Sequence, residues 1–247
     1  MNAQDNLNEA QIRVDLAAAI RLSCREAWHE GVANHFSAAV SADGKTFLIN
    51  PRWVHWSRVR ASDLILVDAD DPSTMDRPDA PDPSAWSIHS AIHRNLPHAR
   101  VALHIHPPHC TALAGLKDPT IQPIDQVTAR WFGRLGYDLN FGGIASEGAE
   151  GERIATTIGN RSAVMMQNHG VTTFGPTVAQ AYDALYHLER AARTMVLAYA
   201  TGQVLAVMPD DLAEATAAEW ESYTEAELAH FAEMKRVLDR EAPDYKD

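Results

Sequence analysis

Residues 99–106, ARVALHIH, are an almost unbroken apolar run that ends in alternating histidines. The run has strand length and lacks the polar alternation of a half-exposed strand. It is the kind of segment that a buried central strand requires, so the chain must build a sheet covered on both faces.

The neighbouring segments supply that cover. From Glu9 to Gly31 the apolar residues follow a helical period, with Gly31 as a C-cap candidate. FSAAVS and TFLIN flank the turn ADGK and predict a hairpin, and DLILVDA reads as a further strand. The Asp- and Pro-rich stretch DADDPSTMDRPDAPDP is expected to be an exposed loop without regular structure. SAWSIHSAIHRNL predicts a helix with Ser84 as its N-cap, and PPHCTALAGL one whose first turn accommodates prolines. A helix in QPIDQVTARWFG, a strand in GYDLNF, a helix in EGAEGERIATTIG and strands in SAVMMQNHG and VTTFG follow. A long helix closed by Gly202 and one or two terminal helices complete the chain. The pattern predicts one α/β domain over 1–247, a three-layer α/β/α sandwich around a mostly antiparallel or mixed sheet. Its core spans about 9–202 and a helical extension 203–247.

With 21 basic against 33 acidic residues and a net charge of −12, a nucleic-acid surface is not expected. The basic cluster in RWVHWSRVRAS is read instead as part of a pocket for a small anion. The polar N-terminus and the lack of a bilayer-length apolar stretch point to a cytoplasmic protein with no membrane partner. Cys24 and Cys110 read as small buried hydrophobes in a reducing compartment. Neither GxGxxG nor GxxxxGK[ST] occurs, so nucleotide chemistry has no support.

Strand alternation sends His104 and His106 to one face, close enough to share a metal ion. In QNHG, His169 again follows an apolar strand, and Gly170 permits a turn that aims its ring back at the pair. Three imidazoles match a catalytic zinc with an open position, and they also suit iron, cobalt, nickel or manganese.

These motifs together resemble the class II aldolase/adducin family. HIHPPHCTALAGL and MMQNHGVTTFG carry the likeness, with ANHFSAAV, FLINP, RASDLILVDA, IHSAIHRNLPHARV and AYDALYHLERAA in support. IHSAIHRNLPHA is most similar to the adducin-like branch. The resemblance implies a class II aldolase-like fold, a homotetramer with sites at subunit interfaces, and a divalent metal, zinc first and iron or manganese as alternatives, held by His104, His106 and His169. Two departures matter. The sugar-phosphate aldolases carry a metal-binding Glu where this chain has Ala85, and their phosphate cradle is only partly kept in Asn34, Ser37, Asn50 and Ser84, with Arg52 and Trp53 as bulky replacements. Their proton-donating tyrosine falls near Gln126.

The expected function is therefore a divalent-metal-dependent lyase that decarboxylates or retro-aldol cleaves a small carboxylate substrate through a metal-stabilised enolate. Asn34, Ser37, Arg52, Trp53 and Ser84 are the expected substrate contacts, with Arg52 gripping a carboxylate and Trp53 stacking. His89, His109 and Tyr245 are the candidates for proton transfer, the last by reaching a neighbouring subunit's metal, while His35 and His55 are expected in loops lining the pocket. The alternatives are an iron-dependent oxygenase or decarboxylase of an aromatic acid, and a non-catalytic adducin-like scaffold.

Overall fold

In the computed structural model, which describes residues 3–143 and 149–247, the apolar run becomes β4 (Val101–Ile105), the middle strand of seven. The other strands are β1 (His35–Ala39), β2 (Thr46–Ile49), β3 (Ile65–Asp68), β5 (Leu135–Asp138), β6 (Ala163–Met166) and β7 (Gly170–Gly175), in the order β3-β2-β1-β4-β7-β6-β5. Every neighbouring pair is antiparallel except β5–β6. The mixed, mostly antiparallel sheet matches the expectation.

The two faces of β4 are dressed differently. Val101, Leu103 and Ile105 point into the larger core, beneath α1 (Ala3–Arg25), α3 (Pro108–Ala114), α6 (Val178–Ala200) and α8 (Thr224–Glu241). Ala102 points the other way, toward Ile88 and Ile92 of α2 (Pro83–Asn95) and Ile154 and Ile158 of α5 (Ala149–Ile158). His104 and His106 leave by that second face. The short α4 (Gln126–Ala129) and α7 (Asp210–Ser222) complete the helices, and no helix among the described residues is long and apolar enough to cross a membrane.

Several local expectations are corrected. α1 stops at Arg25, six residues before Gly31, and the chain turns first at Ala27, which is left-handed at φ 58°. The Asp/Pro stretch contains a 3-10 helix, Pro72–Asp76, because Asp71 accepts the Ser73 amide and caps it. α2 is capped by Asp82 rather than Ser84: the Asp82 carboxylate accepts from the Ser84 amide and hydroxyl, and Pro83 occupies the first turn, where no amide hydrogen is needed. Of the EGAEGERIATTIG segment, residues 147 and 148 lie outside the described residues, and the helix is described as Ala149–Ile158. Gly202, at φ 67°, follows α6 as expected.

Candidate metal centre

Register builds the centre. His35 on β1 pairs with His104 on β4, which pairs with Thr172 on β7, so the three form one row across the sheet. His106 lies just past β4, and His169 in the turn between β6 and β7. That turn is made by Asn168, at φ 57°. Gly170 serves a different need from the turn expected of it: a Cβ there would lie 2.4 Å from His106 Cδ2 and 2.8 Å from the Ile105 carbonyl oxygen, so only glycine lets the ring lie against the strand.

One nitrogen each of His104, His106 and His169 lies within 4.8 Å of the other two. Hydrogen bonding assigns the protons. The Thr172 hydroxyl donates to Met166 Sδ, so its oxygen accepts from His104 Nδ1 at 3.0 Å. His106 Nδ1 donates to the Glu30 carboxylate at 2.5 Å, which can only accept. Both Nε2 atoms therefore carry lone pairs, and they face each other at 3.2 Å. Two opposed lone pairs repel, and a cation between them removes the conflict. The donor set fits a divalent metal, with Thr172 and Glu30 fixing the tautomers from behind.

Electrostatics agree. Burial, with His35 next, holds His104 neutral well below its usual range, and burial with His106 brings His169 to about 4. Neutral imidazole is the form that binds metal.

The triad opens on a cavity of about 500 Å³. Of the expected contacts, Asn34, Arg52, Trp53 and Ser84 line it, and so does Ala85, where the aldolase carboxylate would stand. The Asn34 carboxamide oxygen accepts from the Glu30 amide, while its nitrogen has no partner among the described residues. Ser37 does not line the cavity. It is fully buried and bonded to His89 Nδ1 at 2.5 Å and His93 Nε2 at 2.8 Å. His89 is buried with it and meets His35 Nδ1 through its own Nε2 at 2.9 Å. His89 therefore reaches the cavity through His35, which lies on β1 rather than in a loop and does line the wall. His109 turns away: its ring and amide, with the Cys110 amide, are held by the buried Glu189 carboxylate. Tyr245 is buried beneath α1 in its own chain, its hydroxyl on Asp239. His55 is exposed and caps the 3-10 helix Trp56–Arg58. Cys110 is buried and Cys24 half-buried, both free thiols.

Among the cavity residues that sequence reading missed are Glu30, Asp82 and Phe141. Glu30 carried a faint signal, a carboxylate just before the Gly31 turn and the Asn34-His35 motif. Backbone conformation also marks the cavity: Asn34, Trp53 and Asn168 all line it with positive φ, and for a tryptophan that conformation is strained.

Comparison with known proteins gives the same picture. Residues 14–196 match the profile of the Class II Aldolase and Adducin N-terminal domain. A putative aldolase class 2 protein of Caulobacter vibrioides is 30% identical over all of this chain and 97% of its own length. The decarboxylase NovR of Streptomyces niveus is 26% identical over 79% of this chain and 73% of its own. Among solved structures, an aldolase II superfamily protein from Pseudomonas syringae superposes with a TM-score of 0.87 at 30% identity, covering 97% of this chain and 96% of that one. The chain belongs to the class II aldolase and adducin family.

Proposed function

We propose that the protein is a metal-dependent lyase that cleaves a carbon–carbon bond in a small carboxylate-bearing substrate, by decarboxylation or retro-aldol cleavage. The observation that carries this reading is the pair of opposed Nε2 lone pairs at 3.2 Å on the wall of a cavity that also holds a guanidinium. A divalent ion held by His104, His106 and His169, zinc by preference, supplies Lewis acidity toward a carbonyl or hydroxyl oxygen of the bound acid. Arg52 at the rim pairs with the substrate carboxylate, and the indole of Trp53 covers a flat face of it. Asn34 donates its unpartnered amide hydrogen. Ser84 is drawn to Asp82 and shapes the wall.

Proton transfer falls to groups that line the cavity: the imidazole of His35, whose Nδ1 is engaged by His89, and the carboxylates of Glu30 and Asp82. His89 is a positioning residue in this scheme. The reading includes a cytoplasmic homotetramer, but His109, held by Glu189, and Tyr245, buried in its own chain, stand outside the proton-transfer machinery. The name of the Streptomyces decarboxylase favours loss of carbon dioxide over cleavage of a sugar phosphate, as does Ala85.

The test is metal analysis of purified protein beside His104→Ala/His106→Ala, followed by a panel of hydroxy and keto acids monitored for carbon dioxide and aldehyde. About one equivalent of zinc lost in the variant, with turnover confined to the native protein, is expected. Metal binding without turnover of any acid would overturn the lyase reading, and bound iron with oxygen consumption would replace it with oxygenase chemistry.

A further inference from the structure

A second ligand cluster lies on the other side of the sheet. Asp183 and His187, four residues apart on α6, share a helix face, and His230 of α8 packs against them. One ligand atom from each lies within 4.8 Å of the other two. Asp183 Oδ1 lies 2.7 Å from His230 Nδ1 and 3.3 Å from His187 Nδ1, the latter also 3.0 Å from the Asp183 backbone carbonyl oxygen. Tetrahedral zinc with ordinary bond lengths separates its ligand atoms by about 3.3 Å.

The surroundings suit an ion. Arg130 donates to the other oxygen, Oδ2, at 2.8 Å, which fixes the carboxylate plane and leaves Oδ1 facing the histidines. Arg130 also reaches Glu227 at 3.2 Å. The neighbourhood thus holds two carboxylates against one guanidinium. Asp183 is buried, while His187 and His230 keep 17% and 23% of their side-chain surface, which gives an ion a way in and leaves room for a water as fourth ligand.

We propose that Asp183, His187 and His230 form a second divalent-metal site, of zinc type, that fastens α8 to α6. On binding, the single ring proton of each neutral imidazole moves from Nδ1 to Nε2 at the surface by way of water, which leaves the Nδ1 lone pair for the ion. The family match ends at Leu197's neighbour Val196, before α7 and α8 begin, so the ion would tie the terminal helices to the family core. Because it binds only the folded arrangement, it would raise stability by mass action.

The site is tested on the full chain, stripped with chelator and titrated with Co²⁺ alone, reading bound equivalents, the visible bands of tetrahedral cobalt and the thermal midpoint. His104→Ala/His106→Ala removes the first centre. That variant is expected to keep one equivalent, tetrahedral bands and a cobalt-dependent rise in midpoint, and to lose all three when His187→Gln or His230→Gln is added. Circular dichroism of each stripped variant verifies the fold, and His187→Gln, which leaves the His230–Asp183 bond in place, serves if His230→Gln unfolds. No cobalt bound to His104→Ala/His106→Ala, or binding unchanged by both glutamine variants, would overturn the proposal. The two readings fail separately: a single equivalent abolished by His104→Ala/His106→Ala removes the second site and keeps the first, whereas one abolished only by His187→Gln does the reverse.

Discussion

The two histidine clusters are both compact and follow opposite logic. At Asp183 a buried carboxylate supplies the negative charge, and His187, His230 and Arg130 can all donate to it, so the cluster is satisfied with protons and equally with an ion. Burial alone would push the Asp183 carboxyl up, but the hydrogen bonds from His187 and His230, aided by the charge of Arg130, hold it well below the usual carboxylate range. At His104 and His106 no carboxylate enters the cluster. Glu30 and Thr172 hold the far nitrogens and force lone pairs inward, so this cluster is unsatisfied until a cation arrives. The difference teaches that orientation behind the ring, rather than proximity of rings, distinguishes a structural network from a reactive one.

That contrast is open to attack. The largest effect is expected from His104→Ala/His106→Ala, which should abolish turnover, by at least about a thousandfold, as measured in steady-state assays. Asp183→Asn should follow, destabilising the metal-free protein by about 3 kcal/mol in urea unfolding, because Arg130 keeps only Glu227 as an anionic partner and the two histidines lose their carboxylate. His106→Ala in the same assay should change stability by about 1 kcal/mol or less, since it relieves the opposed lone pairs. Equal losses in the two would break the comparison. Glu30→Gln sharpens it: His106 loses its anionic anchor, and metal affinity in a competition titration should fall about 10–100-fold while the fold holds.

The last effect is a pH dependence. Burial, with His93 next, brings His89 to about 3, and burial with Arg100 brings His93 to about 3. In the unfolded chain both titrate near 6.5, so the unfolded state takes up protons first as pH falls. The stability they contribute is complete above about pH 6.5 and is lost toward pH 3, at about 1.4 kcal/mol per pH unit for each. Urea unfolding of the metal-free protein between pH 7 and 5 measures the slope, and His93→Gln should reduce it.

Much of the fold was legible because its signals are local. The apolar run of β4, the alternation that puts His104 and His106 on one face, and the hairpin turn each sit within a few residues. The gathering of His169 with them followed from strand-end placement. What stayed hidden depends on partners distant in sequence. Glu30 finds His106 across 76 positions, and Ser37 disappears into a buried chain with His89 and His93 that only the packing of α2 on β1 creates. Ser84 looked like a cap because its neighbour Pro83 concealed that the cap lies two residues earlier, at Asp82 in the Asp/Pro run. His230 meets Asp183 only because α8 folds back on α6, and helical periodicity names a buried face without naming what covers it.

One consequence follows from the backbone at Trp53. Held in a left-handed conformation at φ 65°, its indole is 70% exposed at the rim of the cavity, while Trp28, Trp56 and Trp131 are buried. The protein thus carries its own optical reporter. Excited at the red edge, Trp53 should dominate quenching by acrylamide, and a carboxylic acid entering beside Arg52 should shield it and shift the emission blue. Ligands can therefore be ranked by fluorescence before any product is known.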